Sequence, residues 1–378
     1  MPRPSHRFQD SSSVRFANRF PSFGLFVTSV FLFQLASAGS SLHAQTSHSR
    51  SWSVFAGTGK PDSPIAVRPS DPTTVALQNV YGIEVTDDGI FFSTVDDHSI
   101  WKSDHDGTTI RRIAGTGKKG LSGDGGPAIE ATFNAPHEIR ADRDGNLFVA
   151  DTRNHCIRRI DAASGVIETL AGDGVEGFRG DGQTGDMARF SQPHSIVLDG
   201  DGGLLVADTT NHRLRRIDLE TRIVTTVSGN GQRKLPEEGK LASDVSVFGP
   251  RSLAIDEQAI WLVLREGNSV WKIDRQSGRI RRVAGTGKQG HSGDGGDPLS
   301  ATFRGPKGIA VDSAGNLLVV DTENQAMRYV DLGNNVIDTM KIPFKMKRPH
   351  GTAVLSREGN NDVYFVSDSE NHRVLAGR

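Results

Sequence analysis

The eleven residues Asp151–Asp161, DTRNHCIRRID, return almost unchanged as Asp208–Asp218, DTTNHRLRRID, 57 positions later. The same register is marked four more times: by Asp97-His98 before these two copies, and by Asn268-Ser269, Asn324-Gln325 and Asn371-His372 after them. Self-similarity at such a period is the signature of a repeat architecture, in which each unit buries its apolar surface only against its neighbours. A catalytic residue is rarely needed in four or more copies, whereas a turn is needed in every one.

Each copy has the same internal grammar, clearest in Gly308–Met340. The apolar run GIAV meets a turn at DSAGN, then LLVVD, a turn at TENQ, AMRYVD, a turn at LGNN, and VIDTM. Four strands of about four to six residues joined by Gly/Asn/Asp turns predict an antiparallel meander. No segment sustains a helical period, and the 43 glycines suit many tight turns. The expected fold is all-β, a six-bladed β-propeller of four-stranded antiparallel blades. The last copy stops at Arg378 after its third strand, while Ser51–Gly59, SWSVFAGTG, matches a fourth strand such as Val166–Gly174, VIETLAGDG. The N-terminal strand is therefore predicted to close the last blade, removing the edge that an open ring would expose.

With the register in place, Pro306–Asp331, PKGIAVDSAGNLLVVDTENQAMRYVD, resembles the NHL repeat. The segments AGTGKKGLSGDGGPAIEATFNAP (Ala114–Pro136) and AGTGKQGHSGDGGDPLSATFRGP (Ala284–Pro306) are similar to those of bacterial NHL proteins and the teneurin NHL domain. The resemblance runs over about residues 51–378. It implies a propeller and leaves activity open, since one fold hosts many functions.

The N-terminus departs from the repeats. Arg3, Arg7, Arg15 and Arg19 precede an apolar run, Phe23–Leu35, and small residues with an A-x-A pattern at Ala36–Ala38. This reads as a signal peptide over residues 1–44, with cleavage after Ala38 or Ala44. The run is shorter than the roughly 20 residues of a membrane span, so a retained anchor is the lesser reading. Residues 45–378 are expected to be secreted or periplasmic, with no stable membrane span after cleavage, and monomeric. A formal charge of −1 gives no basic surplus, and no nucleic-acid partner is expected. Cys156 is the only cysteine, so stability rests on packing rather than on an internal disulfide. It falls where the next copy has Arg213, and is read as a tolerated substitution rather than a nucleophile.

Two recurring motifs read as structural. Asp151, Asp208, Asp321 and Asp368 share one register, taken by Thr94 and Arg265 in the other blades. The Asp is expected to accept backbone N–H groups, and the Asn to adopt the left-handed conformation of a turn. The SGDGG segments around Asp124 and Asp294 fit neither a phosphate loop nor an EF-hand. The triplets Ala131–Phe133, Ala188–Phe190 and Ala301–Phe303 are expected to tuck an aromatic beneath these loops.

One register points to function. The residue entering each innermost strand, usually just after a proline, is Tyr81, His137, His194, Arg251, Lys307 and His350 in blade order. Innermost strands surround the channel of a propeller, so these six side chains should gather at one mouth. All are polar or titratable. No cofactor is required, although His137, His194 and His350 could as neutral imidazoles hold zinc or another divalent metal. The peptidylglycine amidating lyase, an NHL-type propeller, has zinc histidines in similar Pro-His segments. That resemblance implies His137, His194 and His350 as ligands, Tyr81 as a base, and Arg251 and Lys307 as holders of an anionic group. The leading expectation is a non-enzymatic scaffold binding a protein, peptide or glycan. The alternatives are a metal-dependent hydrolase or lyase and a structural envelope component.

Overall fold

Along the strand Gly203–Asp208, Leu204 and Val206 face one way and Leu205 and Ala207 the other, and all four are buried. A strand with both faces apolar must be sandwiched between two neighbouring sheets. The side chains obey this: Leu204 and Val206 join a cluster with Phe148, Ile157 and Phe190, whereas Leu205 and Ala207 join one with Leu253, Leu262 and Trp271. Such clusters fill all six junctions between blades.

The computed structural model describes residues 50–61, 69–357 and 361–378. It is a six-bladed, all-β propeller without α-helices among the described residues, its only helical turns being short 3-10 segments. Blade 1 comprises Val80–Thr86, Gly89–Thr94, Ser99–Ser103 and Ile110–Ala114. Blade 2 comprises Pro136–Ala141, Leu147–Asp151, Cys156–Ile160 and Ile167–Ala171. Blade 3 comprises Pro193–Leu198, Gly203–Asp208, Arg213–Asp218 and Ile223–Ser228; the two-residue strand Gln183–Thr184 adds a fifth outer member that the repeat grammar did not anticipate. Blade 4 comprises Pro250–Ile255, Ala259–Leu264, Ser269–Asp274 and Ile280–Ala284. Blade 5 comprises Ile309–Val311, Leu317–Asp321, Ala326–Asp331 and Val336–Thr339. Blade 6 comprises Thr352–Leu355, Val363–Asp368 and Arg373–Gly377, with Trp52–Ala56 as its outermost strand, so the N-terminal strand closes the ring as expected. Each innermost strand packs against the next, and that of blade 6 against that of blade 1.

The repeated DTxNH motif proves to be a clasp between blades. Asp208 accepts the Ser191 backbone N–H at 2.7 Å and the Asn211 Nδ2 at 2.8 Å, and that amide also donates to the Gly177 carbonyl. Thr209 donates to the Pro250 carbonyl of the next blade at 2.7 Å, and His212 Nδ1 accepts the Gly249 N–H of that blade at 3.1 Å. His98, His155 and His372 repeat this contact, and in blade 4 the Asn268 side chain does so. Two expectations are corrected. The left-handed residue is the one after the Asn (His155 at φ 55°, His212 at φ 52°), because the Asn side chain is spent on the Asp and the loop. In blade 4 the Asp register belongs to Leu264, not Arg265: Leu264 pairs with Ser269 as Asp208 pairs with Arg213, which aligns Asn268 with His212.

The SGDGG loops and their blade 3 counterpart, RGDGQ at residues 179–183, are tied down from within. Arg158, Arg215 and Arg328 are fully buried and pair with loop carboxylates, Arg215 with Asp181 at 2.7 Å and Arg328 with Asp294 at 2.9 Å, while Arg158 holds Asp124. Phe133, Phe190 and Phe303 are buried beneath the same guanidiniums. Cys156 is buried too, and desolvation pushes its thiol well above the usual range, the opposite of an activated nucleophile. Residues 1–44, read as a signal peptide, lie outside the described residues. Among those described, no helix is long and apolar enough to cross a membrane.

Candidate binding site at the channel mouth

The clasps place one residue per blade at the channel. Each inner strand is preceded by a left-handed residue, such as Ala135 (φ 53°), Gln192 (φ 50°) or Gly249 (φ 63°), and its bend delivers the side chain two positions on to the mouth. Tyr81, His137, His194, Arg251, Lys307 and His350 thereby line one small pocket, together with Glu138, Arg140 and Ser252. All six residues of the register are brought together. The inner strands approach closely here: a Cβ on Gly351 would lie 2.0 Å from the Tyr81 carbonyl oxygen, so only glycine fits.

Aromatic faces build one wall. Tyr81 stacks on His350 with ring centroids 3.6 Å apart and meets His137 edge to face at 4.6 Å. His137 and His194 make a second such contact at 4.6 Å. His350 Nδ1 lies 2.9 Å from the Arg348 carbonyl and His137 Nδ1 2.8 Å from the Ala135 carbonyl. A carbonyl only accepts, so both Nδ1 atoms carry the proton and both Nε2 atoms are acceptors. Lys307 Nζ donates to His350 Nε2 at 2.9 Å. Burial, reinforced by Arg251 and Lys307, holds the His137 and His350 imidazoles well below their usual range and therefore neutral.

Positive charge is crowded. Burial and the Arg251 guanidinium pull Lys307 down to about 7, and burial pulls Arg251 down to about 10, which leaves it charged at neutral pH. The nearby carboxylates are shared with flanking arginines, although Glu323 also lies 3.7 Å from the Lys307 amine. Glu323 and Glu370 bind Arg348 at 3.2 and 3.1 Å, and Glu266 binds Arg265 at 2.7 Å. Deeper in the channel, Arg140 joins Glu138 at 2.6 Å and Glu84 at 3.5 Å, and burial raises Glu84 to about 7. Arg251 has no hydrogen bond or ion pair among the described residues. The sequence reading missed this acidic tier, although charges at Glu84, Glu138 and Arg140 on otherwise apolar inner strands were its signal. Below it the channel is walled by Val85, Val197, Ile255, Val311 and Val354.

A zinc or other divalent centre on His137, His194 and His350 does not fit the residues as placed. Ligation needs three nitrogens about 2.0–2.1 Å from one point, and among the described residues no group of three His, Cys, Asp or Glu is placed to hold an ion. The Lys307 amine moreover occupies the His350 Nε2.

The Lys307 amine has a consequence for stability. Its folded pKa is below that of an unfolded lysine, so the unfolded chain binds more protons between about pH 7 and 10.5. The cost of burying the ammonium is complete below pH 7 and fades as pH rises through that window. Lys307→Met is expected to raise Tm clearly at pH 6 and much less at pH 10, measured by scanning fluorimetry. An equal gain at both would show that the amine is not held at a depressed pKa.

The architecture defines the class, a six-bladed β-propeller, and three of its repeats carry the NHL pattern. Residues 133–160, 190–217 and 303–328 match the NHL repeat family model. The chain is 25% identical over 282 residues to NHL repeat-containing protein 2 of Gallus gallus, covering 63% of this chain and 38% of that protein. It is 23% identical to the probable peptidyl-alpha-hydroxyglycine alpha-amidating lyase pgal-1 of Caenorhabditis elegans, covering 64% of this chain and 63% of that one. The chain thus spans less than two thirds of the length of these relatives. A crystal structure described as an auxiliary nutrient binding protein from Bacteroides thetaiotaomicron shares the fold, with a TM-score of 0.62 at 12% identity over 86% of this chain and 76% of that one.

Proposed function

We propose that this chain is a binding scaffold, secreted or periplasmic, whose protein, peptide or glycan ligand inserts a terminal group at the channel mouth. The observation that supports it is the convergence of Tyr81, His137, His194, Arg251, Lys307 and His350 on one cavity, with a charged guanidinium left unpaired there. A half-buried cation without a partner is partly desolvated at a cost, and a ligand that supplies the partner recovers it. The rest of the repeat is occupied with holding itself together, since the clasp residues and buried arginines have internal partners. The nutrient-binding description of a protein with this fold is compatible with such a role.

The test is a screen of peptide and glycan arrays, with hits measured by calorimetry against Tyr81→Ala and His194→Ala. A hit weakened at least tenfold by both supports the reading. Saturable hits untouched by either would place recognition away from the mouth.

A further inference from the structure

Polar groups at the mouth outnumber the protein partners available to them. Arg251 makes no hydrogen bond or ion pair among the described residues. His194 Nδ1 is buried and has no partner. The Tyr81 hydroxyl makes no hydrogen bond within the described residues, and the Lys307 amine, bonded to His350 and 3.7 Å from Glu323, keeps a hydrogen to give. The nearby acids pair with Arg140, Arg265 and Arg348, and Glu138 and Glu266 act on Arg251 only through longer-range attraction. A guanidinium fork matches a two-oxygen anion bidentately. One tier below, Glu138 and Glu84 share the single Arg140. That tier opposes a second negative charge, which disfavours a phosphate dianion.

We propose that the ring is a receptor for a terminal carboxylate, taken by the Arg251 fork and flanked by Lys307, Tyr81 and His194. This rests on the channel-mouth reading above and names the chemistry that the mouth selects. The carboxylate could be that of a peptide C-terminus or of a free organic acid.

The probes are N-acetyl-triglycine, its C-terminal amide, hexanoate and inorganic phosphate, titrated calorimetrically into the full chain. The free tripeptide acid should bind saturably, and the amide at least tenfold more weakly. Arg251→Gln should weaken the acid at least tenfold with a melting temperature no lower than that of the parent chain. Hexanoate matching the tripeptide assigns any carboxylate; binding by the tripeptide alone assigns a peptide terminus. Equal binding of acid and amide, phosphate binding as tightly as the acid, or no binding by any probe would overturn the proposal. The array screen is indifferent to ligand charge, so a ring-dependent hit there would leave the scaffold reading standing after such a failure.

Discussion

Arg215→Met is expected to lower the unfolding free energy by about 3–5 kcal/mol, because it strands a buried carboxylate. Arg215 is fully buried and lies 3.4 Å from the equally buried Asp208 and 2.7 Å from Asp181. It also donates to the Arg179 and Arg189 carbonyls, the two ends of the loop that covers it, and it packs on Phe190. One cation therefore neutralises the clasp, ties the loop and fills the space above the aromatic. The adjacent residue is the control. Arg216 pairs with Asp199 at 2.7 Å but is 26% exposed, and Arg216→Met should cost no more than about 1 kcal/mol. Urea denaturation of both variants decides the matter, and equal losses would mean that the buried guanidinium does not anchor the blade.

Loss of the closing strand should be as damaging. Phe55, in the strand Trp52–Ala56, is 5% exposed and meets Phe365 of blade 6 at 5.2 Å and Phe92 of blade 1 at 6.2 Å. It joins the two ends of the ring, and Phe55→Ala is expected to cost about 3–5 kcal/mol. Removing the strand altogether also bares the Arg373–Gly377 edge, which would then pair with other copies. The truncated chain should aggregate in size-exclusion chromatography with light scattering. A monomeric truncation with unchanged Tm would contradict closure by the N-terminal strand.

Much of this was legible in the sequence, for a physical reason. A unit that cannot bury its own apolar faces must be repeated, and repetition aligns equivalent positions without knowledge of contacts. That alignment exposed the channel-mouth ring. Contacts across a blade junction carried no such signal. His212 recurs as part of DTxNH, but nothing in the string says that its Nδ1 reaches the Gly249 N–H of the following blade. Blade 4 misled by one position because Leu264 continues an apolar strand where other blades have an aspartate, leaving Arg265 as the nearest polar residue. The zinc expectation treated Pro-His segments as equivalent, whereas Lys307 bonding His350 and the unpaired state of Arg251 depend on which blade faces which.

The most direct test is where a ligand sits. In a crystal of the chain with a hit from the arrays, the ligand's terminal group should lie within hydrogen-bond distance of the Arg251 guanidinium and the Lys307 amine. A ligand seated instead on the exposed apolar loop residues Leu121, Val175 and Phe178, with the ring untouched, would contradict the account.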